Sequence, residues 1–223
     1  METKLNIKSK AVLLLIFAVV ATISCHTPKE IAHQSGQLDT LNDYKGTSGY
    51  FVDKRDGKRY KWVRIGDQIW MAKNLAYQAD SGCVAFKHKE RKANKYGYYY
   101  SWETAMQSCP KGWHLPSKED IKDLIQKLGN SDYYAAFDSL KKNNDFGLNL
   151  RRTGYYNVKK DEFCVYYKFP YLGEALFWTG YFETSMVSGE LEPYYFYKQY
   201  FWRRADVGNF YNECYYPVRC VKD

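Results

Sequence analysis

The chain has 223 residues, a formal net charge of +8 and an aromatic content of 18%, with 23 tyrosines. This length allows one domain with a full core or at most two small ones. Acidic residues are interspersed among the basic ones, so the positive charge does not indicate nucleic-acid binding. The tyrosines suit either a core packed under irregular loops or a sugar-binding surface, and composition alone leaves both open.

The N-terminus has the order of an export signal. Three lysines precede an apolar run over residues 11–23, which is shorter than the ~20 residues of a transmembrane helix. The string Thr22-Ile23-Ser24-Cys25 resembles a bacterial lipobox, in which the cysteine becomes the acylated first residue. We therefore expect residues 1–24 to be a lipoprotein-type signal peptide and Cys25 to be lipidated. The alternative is an ordinary secretory signal, with Cys25 incidental.

Residues 25–46 are polar, contain no aromatic residue before Tyr44 and show no helical period. Such a segment buries too little apolar surface to order itself. We expect a flexible tether between the membrane and a folded domain over residues 47–223. The expected location is the cell envelope, lipid-anchored in the outer membrane, and no transmembrane anchor is expected.

The first folded segment is predicted to be a β-meander. Asp56-Gly57 and Gly66-Asp67 are turn signals, and they separate an initial strand from strands at 60–65 and 68–71. Residues 83–96 are polar and without period, which predicts a long loop.

Two or three helices follow. Ser101 is a candidate N-cap for a helix whose inner face carries Trp102, Ala105, Met106 and Cys109. Ser117 and Asp120 form a candidate capping box before an apolar stripe that ends at Gly129. A third helix is expected over residues 131–142, and beyond residue 146 short aromatic strands broken by Gly and Pro.

These landmarks, in this order, resemble the Fibrobacter succinogenes major paralogous domain family, over residues 49–223. The matching strings are DGK with Tyr60, IGDQIWMAKNL at 65–75, YG at 96–97, YSW at 100–102 with Ala105, CPKGWHLPS at 109–117, FWT at 177–179 and VRCVKD at 218–223. The resemblance implies an α+β fold of the C-type lectin-like kind, with two or three helices, a small twisted antiparallel sheet and long irregular loops. It implies a more distant similarity to the formylglycine-generating enzyme group.

The resemblance also implies a disulfide scheme. Cys109 on the first helix pairs with Cys220 near the last strand, and Cys164 pairs with Cys214. Cys83 is left over and is expected to be free. The alternative is that several of these thiols are simply buried and unpaired.

The candidate chemistry is sparse, and we expect no enzyme, no cofactor and no metal. His114 lies between Trp113 and Leu115, which favours a packed, hydrogen-bonded residue over a general base. No zinc-binding spacing occurs. Glu192-Pro193 lacks the rest of a lectin calcium motif and is interpreted as part of a surface loop. A formylglycine-generating type of enzyme is the remaining catalytic alternative. In that case Cys214 and Cys220 would be the candidate catalytic cysteines.

A ligand is expected in the aromatic region of residues 177–211, where a lectin-like domain places its variable loops. Rings there would stack on sugar faces, and arginines would bond hydroxyls. The candidate residues are Tyr181, Tyr194, Tyr197, Tyr200, Trp202, Arg203 and Arg204. The expected partner is an extracellular ligand such as plant polysaccharide. The alternative is a structural module that contacts envelope proteins, with the rings forming a second core.

Overall fold

The structure, a computed structural model, describes residues 44–141, 146–165, 174–199, 204–209 and 213–223. All of these belong to one structural unit, Leu41–Asp223. The predicted signal peptide, Cys25 and nearly all of the predicted tether lie outside the described residues.

Thirteen strands and four α-helices are assigned in these ranges. The strands are β1 (Ser48–Val52), β2 (Arg59–Ile65), β3 (Gln68–Met71), β4 (Cys83–Ala85), β5 (Tyr98–Tyr100), β6 (Trp113–His114), β7 (Tyr155–Asn157), β8 (Glu162–Cys164), β9 (Glu174–Thr184), β10 (Leu191–Gln199), β11 (Arg204–Asn209), β12 (Cys214–Pro217) and β13 (Val221–Lys222). The helices are α1 (Ala93–Tyr96), α2 (Trp102–Met106), α3 (Lys118–Gly129) and α4 (Tyr133–Lys141), with 3-10 turns at Phe86–His88 and Glu90–Lys92.

The strands form three sheets, and each strand pair is antiparallel. The first sheet has the order β1-β2-β3-β13-β6, the second β11-β10-β9 and the third β4-β5-β12-β7-β8. The last strand, β13, lies between β3 and β6, and both of these strands are distant from β13 in sequence. The two ends of the described domain are thereby held in one sheet. The architecture is mixed α and β, as predicted.

The predicted β-meander is confirmed in β1 to β3. Gly57 and Gly66 both have positive φ, at 70° and 61°, as tight turns between strands require. β2 is covered on both faces, because Tyr60 and Trp62 join one hydrophobic core while Val63 and Ile65 join another. The first sheet therefore separates two cores.

The capping box before α3 is also confirmed. The Ser117 hydroxyl accepts from the Asp120 N–H at 3.1 Å, and Asp120 accepts from the Ser117 N–H at 2.8 Å. Ile121, Leu124, Ile125 and Leu128 are buried against the second core. At Gly129 an added Cβ would lie 2.3 Å from the Ala136 nitrogen, so this glycine permits the close approach of α3 and α4.

Several predictions about individual elements are wrong. The described part contains four helices instead of two or three, because the predicted 83–96 loop contains β4 and α1. The first predicted helix ends at Met106, so Cys109 lies beyond it. The second sheet contains strands of 11 and 9 residues instead of short ones.

Glu192 and Pro193 lie within β10, not in a surface loop. The register with β9 shifts between Pro193 and Tyr195. A bulge accommodates proline, which has no N–H to donate to a ladder.

The predicted bridge between Cys109 and Cys220 is present. Its Cα atoms are 5.9 Å apart, and it closes a loop with a sequence separation of 111. It joins the segment after α2 to the segment before β13. A loop of this length gives a stabilisation of about 4 kcal/mol in the chain-entropy account.

The second predicted bridge is not formed. Cys164 and Cys214 are free thiols, and Cys83 is also a free thiol. Cys164 lies on β8 and Cys214 on β12, with β7 between these two strands. Strands are ~4.8 Å apart, so two cysteines separated by an intervening strand exceed the Cα separation of about 7 Å that a disulfide tolerates.

Arg219 is a fully buried cation between the sheets and the segment around residue 148. Its guanidinium donates to Oδ1 of Asn74 at 2.8 Å and to the carbonyls of Met71, Leu148 and Asn149. The residue is 1% exposed. Burial, together with the neighbouring Arg151, lowers the pKa of Arg219 to about 9. Arg219 thus stays charged at neutral pH and is held by oxygen dipoles.

Candidate ligand-binding groove

A groove of about 330 Å³ lies between α3 and β11. Four of its lining residues follow the helical spacing of one α3 face, and the others come from the turn before α4, the first residue of α4 and β11. The lining residues are Lys118, Ile121, Lys122, Ile125, Ser131, Tyr133, Asp206 and Val207. The lining combines apolar side chains with a few charged and polar groups, which is the usual composition of a small-ligand site.

Two tyrosines form an aromatic platform next to this groove. The rings of Tyr181 on β9 and Tyr194 on β10 have centroids 4.4 Å apart. The Tyr194 hydroxyl donates to Glu183 Oε2 at 3.0 Å, and the Tyr181 hydroxyl donates to Oε1 of the same carboxylate. Burial and the adjacent Glu183 raise the pKa of Tyr194, which therefore remains a neutral donor at neutral pH.

Lys118, the first residue of α3, connects the platform to the groove. Its Nζ donates to the Tyr181 hydroxyl at 2.9 Å, lies 4.3 Å from the Tyr181 ring centroid and lies 3.8 Å from Glu183 Oε1. Lys118 also lines the groove. Lys118 thus links the groove to the Glu183 carboxylate and to the Tyr181 ring.

An arginine lies beside two residues that line the groove. Arg204 on β11 places its guanidinium 4.9 Å from the ring centroid of Tyr133, and it forms an ion pair with Asp206. Both Tyr133 and Asp206 line the groove. The Tyr133 ring therefore adds an aromatic face to this part of the groove.

The structure gathers three of the seven predicted ligand residues around this groove: Tyr181, Tyr194 and Arg204. Tyr197 is not among them, because its ring packs beside Tyr195 against the first core. The remaining three, Tyr200, Trp202 and Arg203, lie outside the described residues.

Sequence reasoning missed Lys118 and Tyr133. Each is an ordinary exposed residue at a helix start, and neither carries a local motif. Their roles depend on contacts across 63 and 71 positions of sequence, to Tyr181 and Arg204, so no local pattern marks them.

His114 is engaged at both ring nitrogens. Nδ1 lies 2.7 Å from Asp223 Oδ1 and Nε2 lies 2.9 Å from Asp120 Oδ2. These contacts link β6, the start of α3 and the residue after β13. The hydrogen bonding matches the expectation from the sequence, but the side chain is 41% exposed and is not fully packed.

Two of the free thiols, Cys83 and Cys214, are poorly ionised. Burial, followed by the nearby Cys164, raises the pKa of Cys214 to about 11, and burial raises the pKa of Cys83. A thiol with a raised pKa is a poor nucleophile at neutral pH.

Within the described ranges, no group of three or more His, Cys, Asp or Glu side chains is placed to hold a metal ion. No helix in the same ranges is long and apolar enough to cross a membrane.

No curated protein and no solved structure gave a match to the chain. Residues 63–222 match the family model of the Fibrobacter succinogenes major domain. This match covers most of the chain and includes the end of β2, β3, the capped helix and the disulfide cysteines described above. The chain therefore belongs to the Fibrobacter succinogenes major domain family.

Proposed function

We propose that this protein is a non-enzymatic lipoprotein of the cell envelope whose domain binds an extracellular polysaccharide in the groove between α3 and β11. The observation that carries the proposal is the Tyr181–Tyr194 platform, with its centroids 4.4 Å apart and with Glu183 and Lys118 at its edge. Aromatic rings stack on the apolar C–H faces of sugars, and the carboxylate and ammonium bond the hydroxyls. A plant polysaccharide is the proposed class of ligand.

The anchoring part of the proposal comes from the sequence. The lysines, the apolar run and the small residues before Cys25 support lipidation of that cysteine and attachment to the outer membrane. The proposed fold relationship is to C-type lectin-like domains. A helix, a crossing strand and a capped helix packed on antiparallel sheets, with a cysteine bridge to the last strand region, support it.

Retention on insoluble polysaccharide tests the binding proposal. Wild-type protein should be retained on cellulose or hemicellulose, and Tyr194→Ala and Tyr181→Ala should each reduce retention at least about tenfold, as loss of one good stacking contact would. Tyr134→Ala is the matched control, because Tyr134 is a 61% exposed tyrosine on α4 that does not line the groove. Equal retention of all four proteins, at unchanged melting temperature, would contradict the proposal.

A second candidate function is a protein-interaction module of the envelope. The tip of the β9–β10 hairpin exposes Met186 and Val187 almost completely, at 102% and 98%. Two adjacent exposed apolar side chains at a hairpin tip favour a protein partner. Cross-linking to a partner protein in cells should then be reduced by Met186→Ser and Val187→Ser, and should be unchanged by Tyr194→Ala.

A further inference from the structure

A second pocket, of about 350 Å³, lies among β2, the residues after β3, α1 and residues 147–151. All of its charged lining residues are basic. It is lined by Lys61, Ala72, Lys73, Asn94, Lys95, Gly147, Asn149 and Arg151. It shares no lining residue with the groove between α3 and β11. We call it the basic pocket.

The positive charges of the basic pocket are not neutralised by the part of the chain that the structure describes. There, no carboxylate lies within ion-pairing distance of Lys61, Lys73 or Arg151. Lys95 lies over an aromatic ring, 5.1 Å from the Tyr96 centroid. Neighbouring basic residues do have partners: Arg55 is 2.7 Å from Asp53, and Lys58 is 2.9 Å from Asp56.

Like charges crowd this region. Lys73 is half-buried, and its burial, together with Arg151 and Lys58, lowers its pKa. Arg219 lies beneath the pocket, fully buried, and donates to the carbonyls of Leu148 and Asn149, which belong to the pocket segment. Asn149 itself holds a left-handed conformation, with φ 50°. Uncompensated charge in one pocket is typical of a binding site, because a ligand supplies the opposite charge that the protein lacks.

We propose that the basic pocket binds a phosphate group. A phosphate dianion carries up to two charges and three acceptor oxygens, which suit the several cations that line the pocket and the amide of Asn94. A carboxylate carries one charge and would leave most of the pocket charge unneutralised. The volume falls in the range of about 300–1,000 Å³ that holds organic ligands, so the phosphate belongs to a larger molecule. That molecule is a soluble sugar phosphate or the phosphate headgroup of a lipid. This site is independent of the proposed polysaccharide function.

Isothermal titration of the mature full-length protein in neutral detergent tests the proposal, with glucose 1-phosphate as the probe and glucose as its neutral match. The test variant is Lys73→Gln with Arg151→Gln. The control variant is Lys111→Gln with Lys127→Gln, which removes the same charge from exposed positions that do not line the basic pocket.

Wild type and control should bind glucose 1-phosphate and not glucose, and the test variant should bind it at least tenfold more weakly, a difference of about 1.4 kcal/mol. Without ligand, the test variant should melt no lower than wild type, since it relieves repulsion between like charges. The single Arg151→Gln variant, at an exposed position, repeats the test if the double variant does not fold.

A second titration, with short-chain phosphatidic acid below its micellar concentration, distinguishes the two possible sources of the phosphate, a sugar phosphate and a lipid headgroup. Tighter binding of phosphatidic acid than of glucose 1-phosphate indicates a lipid headgroup, and the reverse order indicates a soluble sugar phosphate. Absence of binding to both probes overturns the proposal. Equal weakening in the test and control variants also overturns it, because it would show attraction to net charge alone.

Discussion

Arg219 and Asn74 are joined by a hydrogen bond of 2.8 Å from Nε to Oδ1, although they are 145 positions apart in the chain. Asn74 follows β3 and Arg219 precedes β13, two strands that pair in the first sheet. Both side chains are buried. The bond therefore fixes the return of the last strand to the first sheet through a charged group that has no access to water.

We expect Asn74→Ala to destabilise the domain by about 2–4 kcal/mol, because it leaves a buried guanidinium N–H without an acceptor. Urea unfolding measures the change. Asn94→Ala, at an exposed asparagine, is the control and should change the free energy of unfolding by less than about 0.5 kcal/mol. Similar values for the two variants would show that the buried contact does not stabilise the fold.

Alkylation in denaturant without reductant, followed by peptide mapping, should label Cys83, Cys164 and Cys214 and leave Cys109 and Cys220 unlabelled. Cys109→Ser with Cys220→Ser should then lower the free energy of unfolding by about 4 kcal/mol. Protection of Cys164 and Cys214 from alkylation would instead support the Cys164–Cys214 disulfide that the family resemblance implied. It would require a different arrangement of β8 and β12.

Stability should depend on pH through His114. Burial by itself lowers the pKa of His114, but hydrogen bonds to Asp223 and Asp120 outweigh it, and the folded pKa is raised. A raised folded pKa gives a stabilisation that is complete below the unfolded value of about 6.5 and is lost as pH rises through the folded pKa.

The partner carboxylate sets the lower limit of this pH window. Burial by itself raises the pKa of Asp120, but the contacts with Ser117 and His114 outweigh it, and its folded pKa is lowered. The contribution of Asp120 is therefore lost only as pH falls through that low value. His114→Gln should lower the melting temperature most between about pH 4.5 and 6.5, and less at pH 8. The effect is under about 1 kcal/mol, because the ring is half-exposed. A melting-temperature difference that is flat across pH would contradict the assignment.

Much of the fold follows from local sequence signals. Asp56-Gly57 and Gly66-Asp67 each determine a turn from adjacent residues, and the Ser117–Asp120 capping box lies within one helical turn. These signals act over two to four positions, so a sequence pattern contains them completely.

The second sheet does not follow from the sequence pattern, for a physical reason. β10 buries Phe196 against one core while Tyr195 and Tyr197 pack against the other, so the strand does not alternate between polar and apolar residues. A proline at position 193 then predicts a loop, whereas in the structure a bulge accommodates it within the strand. The candidate groove also cannot be predicted from a local sequence pattern. Lys118 contacts Tyr181 only because α3 packs on β9.

Lipidation of Cys25 stays a prediction from the sequence. Metabolic labelling with a fatty-acid analogue should mark the wild type and should be lost in Cys25→Ser, because the thiol of that cysteine is the acceptor of the lipid. Ser24→Ala is the matched control, since it keeps a small residue before the cysteine. Label that persists in Cys25→Ser, or a secreted protein whose N-terminus is another residue, would favour an ordinary secretory signal.

The most direct test of the central claim is a heteronuclear NMR titration of the protein with a soluble hemicellulose oligosaccharide. Binding in the groove between α3 and β11 predicts chemical-shift changes that saturate and that concentrate at Lys118, Tyr181, Glu183 and Tyr194 and along the facing sides of α3 and β11. Residues of the basic pocket around Lys73 and Arg151 should be unaffected. Absence of shift changes at high oligosaccharide concentration, or changes confined to residues outside the groove, would contradict the proposed polysaccharide site.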